Sequence, residues 1–433
     1  MSFVVRSSAE CLVVIKVLNT GEEYRFGPNT DYPFLTNVSV VQKFNLVESI
    51  TFEIDMPFYE GRELLNSNAF TNGNIVKVVM GYGETRTNVF TGLIHEGGSG
   101  LSIEANGVSG SIDAIAHSTE VDKVKTFPKK QGLSNYDYLL EIVGTANVKL
   151  IVEPPSLVNE INTHEAFEIN GSKSPVDAIR EFCSRYGYVY SQSVAYQDGQ
   201  KSVDSSPTGL EIKLIKADGV SRPDGQEKLY LFIMRGAPFG TEELRAQFEV
   251  YPIMAFSPEE TGPLFGRQTK TNVMAEGVQI GEVDKEGKAM EVSVDLSQSS
   301  AVNGGQKDLK NNNSERAVDG LSVGSASGGA RIQSPTPEGS EASVRARALA
   351  LNENSAIEYS ASLTTVGIPN LSIYEKCAVV GLGKIYDGVF SISGFTHTWN
   401  GGSIETQISL FSRSSEVLRV KDNLNDLLGV NVF

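Results

Sequence analysis

The chain has 433 residues, about three domains at the usual ~100–200 residues each, and 37 Lys plus Arg against 53 Asp plus Glu give a net charge of −16. That balance disfavours a tight binder of nucleic-acid phosphates, so no sequence-specific nucleic-acid partner is expected. A hydrophobic content of 40% with 21% charged residues excludes a wholly disordered chain, and 42 glycines point to strands joined by tight turns.

Cys11, Cys183 and Cys377 lie far apart, so neither a CxxC clip nor a disulfide framework is written here, and a reducing, intracellular origin is expected. The N-terminal MSFVVRSSAE has no basic region leading into a long apolar run, and no stretch reaches the ~18 apolar residues of a membrane helix. A soluble, unprocessed chain without membrane insertion is the expectation.

Residues 1–118 read as strands. In Thr51-Phe52-Glu53-Ile54-Asp55-Met56 apolar and polar residues alternate, the period of a sheet with one wet face, and Leu101-Ser102-Ile103-Glu104-Ala105 repeats the alternation. Between them NIVKVVMGYGETRTNVFTGLI holds two β-branched runs around a turn, a hairpin by composition. Short strands at this spacing predict a small barrel or sandwich.

The pattern changes near Lys123. In SNYDYLLEIVGTA, Ser134 can cap a helix with Asp137 at capping-box spacing and Gly144 can end it; VKLIVEP then reads as a strand. A second copy of this plan has Ser174 as cap, Pro175 at the first helical position, and Ile179, Phe182, Cys183 and Tyr186 on one face, with Gly187 as terminator. With LEIKLIK and KLYLFIMR added, residues 119–240 are expected to form a small α/β domain.

Between Phe265 and Tyr359 there is no aromatic residue, and residues 281–343 are rich in Ser, Gly, Asn and Glu. Such a segment can bury little, so an exposed insertion is expected. EASVRARALALNEN then favours a helix by propensity. CAVVGLG, GVFSISGF and SIETQISLF read as a second β unit, residues 241–280 plus 344–414. Residues 415–433 close the chain as an amphipathic helix with Val417, Val420, Leu424, Leu427 and Leu428 at helical spacing, a stripe that folds back or meets a partner.

No constellation of catalytic residues emerges. His95, His117, His164 and His397 have no metal-ligand spacing, and no cysteine lies near any of them. Gly320-Leu321-Ser322-Val323-Gly324 spells GxSxG, yet it sits in low-complexity sequence without the strand and helix that a nucleophile elbow requires. Gly381 and Gly383 match part of a dinucleotide loop, but position 386 is Tyr and no helix follows. Glu242, Glu243, Glu259 and Glu260 read as a solvated face, Cys183 as a core residue, and the single tryptophan, Trp399, as a packing residue at a barrel rim. No enzyme, cofactor or metal is expected.

Gly367-Ile368-Pro369-Asn370-Leu371, Val379-Val380-Gly381-Leu382-Gly383, Asp387-Gly388-Val389-Phe390-Ser391-Ile392, His397 and the closing SIETQISLFSR are similar to the C-terminal barrel of the phage late-control D and baseplate-hub family. That family is related to the hub part of type VI secretion spike proteins. The N-terminal FTNGNIVKVVMGYGETRTNVFTGLI resembles the family's first hairpin, with Asn74 in place of the usual Asp; Asn370 stands where the family often has Gly. The resemblance implies a mainly β fold with an α+β insertion, two tail-tube-like barrels flanking a small α/β domain. It also implies a homotrimer that joins the tail tube to a central spike among other baseplate proteins. Gly367, Ile368, Pro369, Leu371, Gly381, Gly383, Gly388 and His397 would serve as its structural motif, with no catalytic residue. The expected location is the virion tail baseplate, after synthesis in the host cytoplasm. The alternative is a tail-associated cell-wall hydrolase, which a carboxylate pair or Cys/His signature would favour; a carbohydrate-binding β protein would need a cluster of exposed aromatics.

Overall fold

A computed structural model describes residues 8–83, 85–104, 106–116, 119–127, 133–153, 172–186, 188–196, 207–216, 229–234, 248–259, 274–283, 289–295, 357–373, 375–382 and 386–413. The GxSxG stretch, the Ala-rich segment after residue 343, Gly383 and the C-terminal stripe of Val417, Val420, Leu424, Leu427 and Leu428 lie outside them.

The first unit comprises β1 (Ala9–Lys16), β2 (Glu23–Phe26), β3 (Leu35–Lys43), β4 (Ser49–Pro57), α1 (Phe58–Asn66), β5 (Ile75–Tyr82), β6 (Thr85–Glu104) and β7 (Gly107–Ile115). Its strands run β2-β1-β5-β6-β7-β4-β3. Along β4 the alternation works as the period demands: Phe52, Ile54 and Met56 are buried while Thr51, Glu53 and Asp55 are exposed. The hairpin expected around residues 81–88 is the β5–β6 pair, with Ile75 opposite Leu93. Val13, Ile15, Phe26, Val40, Phe52 and Phe90 pack the core. The second alternating stretch behaves differently, because Leu101 is only half-buried and Ile103 is 61% exposed. Leu101 still packs against this core, whereas Ile103, two residues on, is left uncovered.

Next come α2 (Thr119–Asp122), β8 (Lys125–Thr126), α3 (Asn135–Gly144), β9 (Val148–Glu153), β10 (Ser172–Lys173), α4 (Pro175–Tyr186), β11 (Tyr188–Tyr196) and β12 (Pro207–Lys216). Both expected caps form. The Ser134 hydroxyl accepts the Asp137 amide at 3.1 Å and donates to the Asp137 carboxylate at 2.6 Å, and Ser174 does the same with Asp177 at 3.2 and 2.7 Å. Helix α3 ends at Gly144 as expected, and Asn147 at φ +54° makes the left-handed step after it. Strands β11, β12 and β9 form a separate sheet, with β12 and β9 parallel. Asn45, in the β3–β4 turn, ties this unit to the first barrel: its amide donates to the Tyr190 carbonyl at 2.8 Å, and its side-chain oxygen accepts the Tyr190 amide at 3.1 Å.

The second barrel contains β13 (Leu229–Met234), β14 (Phe248–Glu259), β17 (Ile357–Val366), β18 (Lys376–Val380), β19 (Gly388–Trp399) and β20 (Ile404–Arg413); β15 (Met274–Val283) and β16 (Ala289–Asp295) form a hairpin between β14 and β17. The order β18-β13-β14-β17-β20-β19 closes on itself through a β18–β19 pairing, giving a six-stranded barrel. Here the expected content of the α/β domain needs correction. LYLFIM is not a strand of that domain; it lies in the second barrel, parallel to β14 on one side and to β18 on the other. A fully apolar run suits that place, because a strand paired on both edges inside a closed barrel has Leu231 and Phe232 on opposite faces and both fully buried.

The two barrels share one strand order and place two of their ladder irregularities alike. The order β3-β4-β7-β6-β5 corresponds to β14-β17-β20-β19-β18. The irregularity between Leu35 and Asn37 in the β3–β4 ladder recurs between Ile253 and Ala255 in β14–β17. The interruption between Ile94 and Ser99 in β6–β7, four residues of β6 against one of β7, falls at the same place in the plan as the single-residue bulge between Ile392 and Gly394 in β19–β20. Aligning these points matches Val38 with Phe256, Ile112 with Ile408 and Ile103 with Trp399. Bulges fix register, so two coinciding bulges tie the barrels to one plan.

Candidate functional site

Of the motif residues, His397 and the Gly367–Leu371 turn lie at the seam between the barrels. Strand β19 divides its edge: Gly388–Ser391 pairs with β18 and closes the second barrel, while Gly394–Trp399 pairs with β3 of the first. The result is one continuous 13-stranded sheet through both barrels. Across the seam Trp399 stands opposite Val38 and His397 opposite Val40. Trp399 is 1% exposed, packs into the first barrel's core, and donates its indole N–H to the Ala9 carbonyl at 3.4 Å. The expected rim packing role holds, and its partner is the other barrel.

Behind the seam lies the Gly367–Leu371 turn. The Gly367 amide donates to the Ile404 carbonyl at 2.7 Å, and the Tyr82 hydroxyl of the first barrel reaches the same oxygen at 3.3 Å. A side chain at 367 would collide with Ile404 and Tyr82, so glycine is required by close approach. The Ile368 amide donates to the Thr406 hydroxyl at 3.0 Å, and that hydroxyl lies 2.8 Å from His397 Nδ1. The Thr406 hydroxyl, which already accepts the Ile368 amide, shares this bond with Nδ1, and the tautomer of the ring decides which of the two donates. His397 is a buried structural link in this arrangement. Ile368 and Leu371 enter the second barrel's core, and Pro369 is half-buried at the turn. Asn370, at the position where a glycine resembles the family better, accepts a hydrogen bond from Thr87 of the first barrel.

Gly381, at φ +90°, starts the β18–β19 connection, where the buried Asp387 accepts the Leu382 amide at 2.7 Å. Gly388 begins β19 opposite Val379. These two residues shape the hairpin rather than the seam. Sequence reasoning missed Val38, Val40, Tyr82 and Thr87, all contributed by the first barrel; no local signal pairs them with residues 283 or more positions away.

The site offers packing and backbone pairing rather than reactive groups. Burial pushes the thiols of Cys11, Cys183 and Cys377 well above the ordinary cysteine value, the opposite of an activated nucleophile. Among the described residues no group of three or more His, Cys, Asp or Glu could hold a metal ion, and no helix is long and apolar enough to cross a membrane.

No protein-family model and no curated protein matches the chain. Two solved structures share its fold. A tail protein from Neisseria meningitidis MC58 aligns with a TM-score of 0.56 at 11% identity over 94% of this chain and 98% of its own. The 43 kDa tail protein of prophage MuSo2 from Shewanella oneidensis aligns at 0.54 with 12% identity, covering 94% and 99%. At such identities the likeness is one of fold: mainly β, with paired barrels around an α/β insertion.

Proposed function

We propose that this chain is the structural baseplate hub of a contractile phage tail or a related injection machine, a homotrimer that joins the tail tube to a trimeric central spike. The observation that carries this reading is the doubling of one barrel plan within a single chain, with the same strand order and two ladder irregularities at matching places. Three such chains supply six alike barrels, so the ring meets a sixfold tube on one face while keeping threefold symmetry for a spike on the other. The tail proteins that share the fold support the same reading.

The hub works by matching symmetries and by leaving a passage for DNA, not by chemistry. A trimer carries 3 × −16 = −48 charges, which favours slip-through over grip on a polyanion. Its place is the tail baseplate of the virion, reached after synthesis in the host cytoplasm.

Light scattering on the purified protein tests the assembly. The expected mass is 3 × 46.8 = 140.4 kDa, with six lobes in projection by electron microscopy and co-purification of tube and spike proteins. A strict monomer that binds neither would overturn the reading.

A further inference from the structure

Two strand segments are left with an open edge, and they are the counterparts of the two that build the seam. In β19 the first part of the edge is taken by β18 and residues 394–399 are given to β3. In β6 the first part is taken by β5, and among the described residues nothing pairs with the same edge of Ser99–Glu104. The seam's other strand is β3, whose counterpart is β14. Strand β13 occupies one edge of β14 as far as Ile253, and among the described residues nothing pairs beyond it on that edge.

Exposure follows the same division. Trp399 and Val38 are both buried in the first barrel's core, whereas Ile103, the counterpart of Trp399, is 61% exposed, and Met254 on the open stretch of β14 is 58% exposed. An apolar edge strand in this state is a template for another strand.

We propose that the β6 edge at Ser99–Glu104 of one protomer pairs antiparallel with the β14 edge at Met254–Glu259 of a second copy, in the register of the internal seam. Transferring that register puts Ile103 opposite Phe256, Ser102 opposite Ser257, Leu101 opposite Pro258 and Gly100 opposite Glu259. One step further, Glu104 meets Ala255, so the two acidic positions never face each other. Pro258 lacks an amide donor and limits pairing with strands in other registers. Each copy carries one edge of each kind, so the contact is head-to-tail. A head-to-tail contact of this kind can close three copies into a ring instead of stopping at a dimer. This assignment rests on the homotrimeric hub reading and names the surface that makes the trimer.

Cysteine pairs test it in the full chain. One variant carries Ile103→Cys with Phe256→Cys, a second Ser102→Cys with Ser257→Cys, and a control carries Ile103→Cys with Ser257→Cys, slipped by one residue. Neighbouring antiparallel pairs alternate between Cα separations of ~4.5 and ~5.5 Å, so one in-register pair has the closer spacing that favours a disulfide. Mild oxidation is expected to give covalent species ending at three chains in at least one in-register variant and none in the slipped control. The exposed-site change Ile103→Lys is expected to convert trimer to monomer without changing the circular-dichroism spectrum. If light scattering reports a trimer but neither in-register pair cross-links, or the slipped control links equally, the edge assignment is wrong and the hub reading stands. If the unmodified protein is monomeric and binds neither tube nor spike, both are overturned.

Discussion

Replacing Gly367 by alanine would drive a methyl group into the back of the inter-barrel seam. The new Cβ would stand inside contact distance of the Ile404 Cγ2, 2.5 Å from Ile404 Cβ and 2.7 Å from the Tyr82 hydroxyl oxygen. Ile404 is 3% exposed and belongs to the first barrel's core, so it has little room to retreat. Overpacking of a filled core costs about 1–3 kcal/mol. Pushing the Tyr82 hydroxyl from the Ile404 carbonyl forfeits roughly another 0.5–1.5 kcal/mol. A loss of about 2–4 kcal/mol corresponds to a melting temperature lower by roughly 5–10 °C for a unit of this size. Calorimetry or thermal circular dichroism reads it directly. Gly402→Ala is the control, because a Cβ there meets nothing within 4 Å; its change should stay within about 0.5 kcal/mol. If Gly367→Ala is as mild as Gly402→Ala, the close approach does not constrain the turn and the argument for glycine at 367 fails.

Trp399→Ala is expected to cost about 3–5 kcal/mol, because a fully buried side chain leaves a cavity in the neighbouring barrel; urea denaturation should show both barrels weakened, and a loss confined to the second would contradict a shared seam. The three buried thiols should resist a soluble thiol reagent in the native protein and react fully in denaturant. Their folded-state values are raised by burial, so their contribution to stability is complete below the unfolded thiol value near ~8.5 and declines as pH rises above it; stability that increases between pH 8.5 and 10 would refute this. Deleting residues 416–433 should leave the melting temperature nearly unchanged and weaken spike capture; a melting temperature lower by several degrees with normal capture would assign that segment to the chain's own core.

The sequence disclosed what is decided locally. Alternation in Thr51–Met56 predicted the wet and dry faces of β4, the turn composition near Gly81 predicted the β5–β6 hairpin, and Ser134 and Ser174 marked two helix starts that the structure bears out. Pairing at long range left no such trace. LYLFIM carries no period, so nothing in it distinguished a strand of the α/β sheet from one inserted between β14 and β18. Leu101 and Ile103 alternate as a buried strand does, yet only Leu101 packs against the core and Ile103 is left uncovered, because period reports that a strand has an apolar face but not how far another body covers it. The seam itself joins residues 38–43 to 394–399 and is invisible to any local window.

One consequence follows from where the long excursion leaves the second barrel. Strands β3 and β4 are joined by the five residues 44–48, whereas their counterparts β14 and β17 are separated by residues 260–356, 97 positions that include the β15–β16 hairpin. Chain-closure entropy grows only as the logarithm of length, so lengthening from five to 97 residues costs about 2.6 kcal/mol for an ideal chain, set against a β17 ladder paired on both sides. A hairpin end whose register is held by its flanking strands is thus a permissive graft point. Lineages that keep both barrels can exchange whole modules there without disturbing the continuous sheet, so diversity among such proteins should concentrate at this one corner of the second barrel and spare its twin in the first.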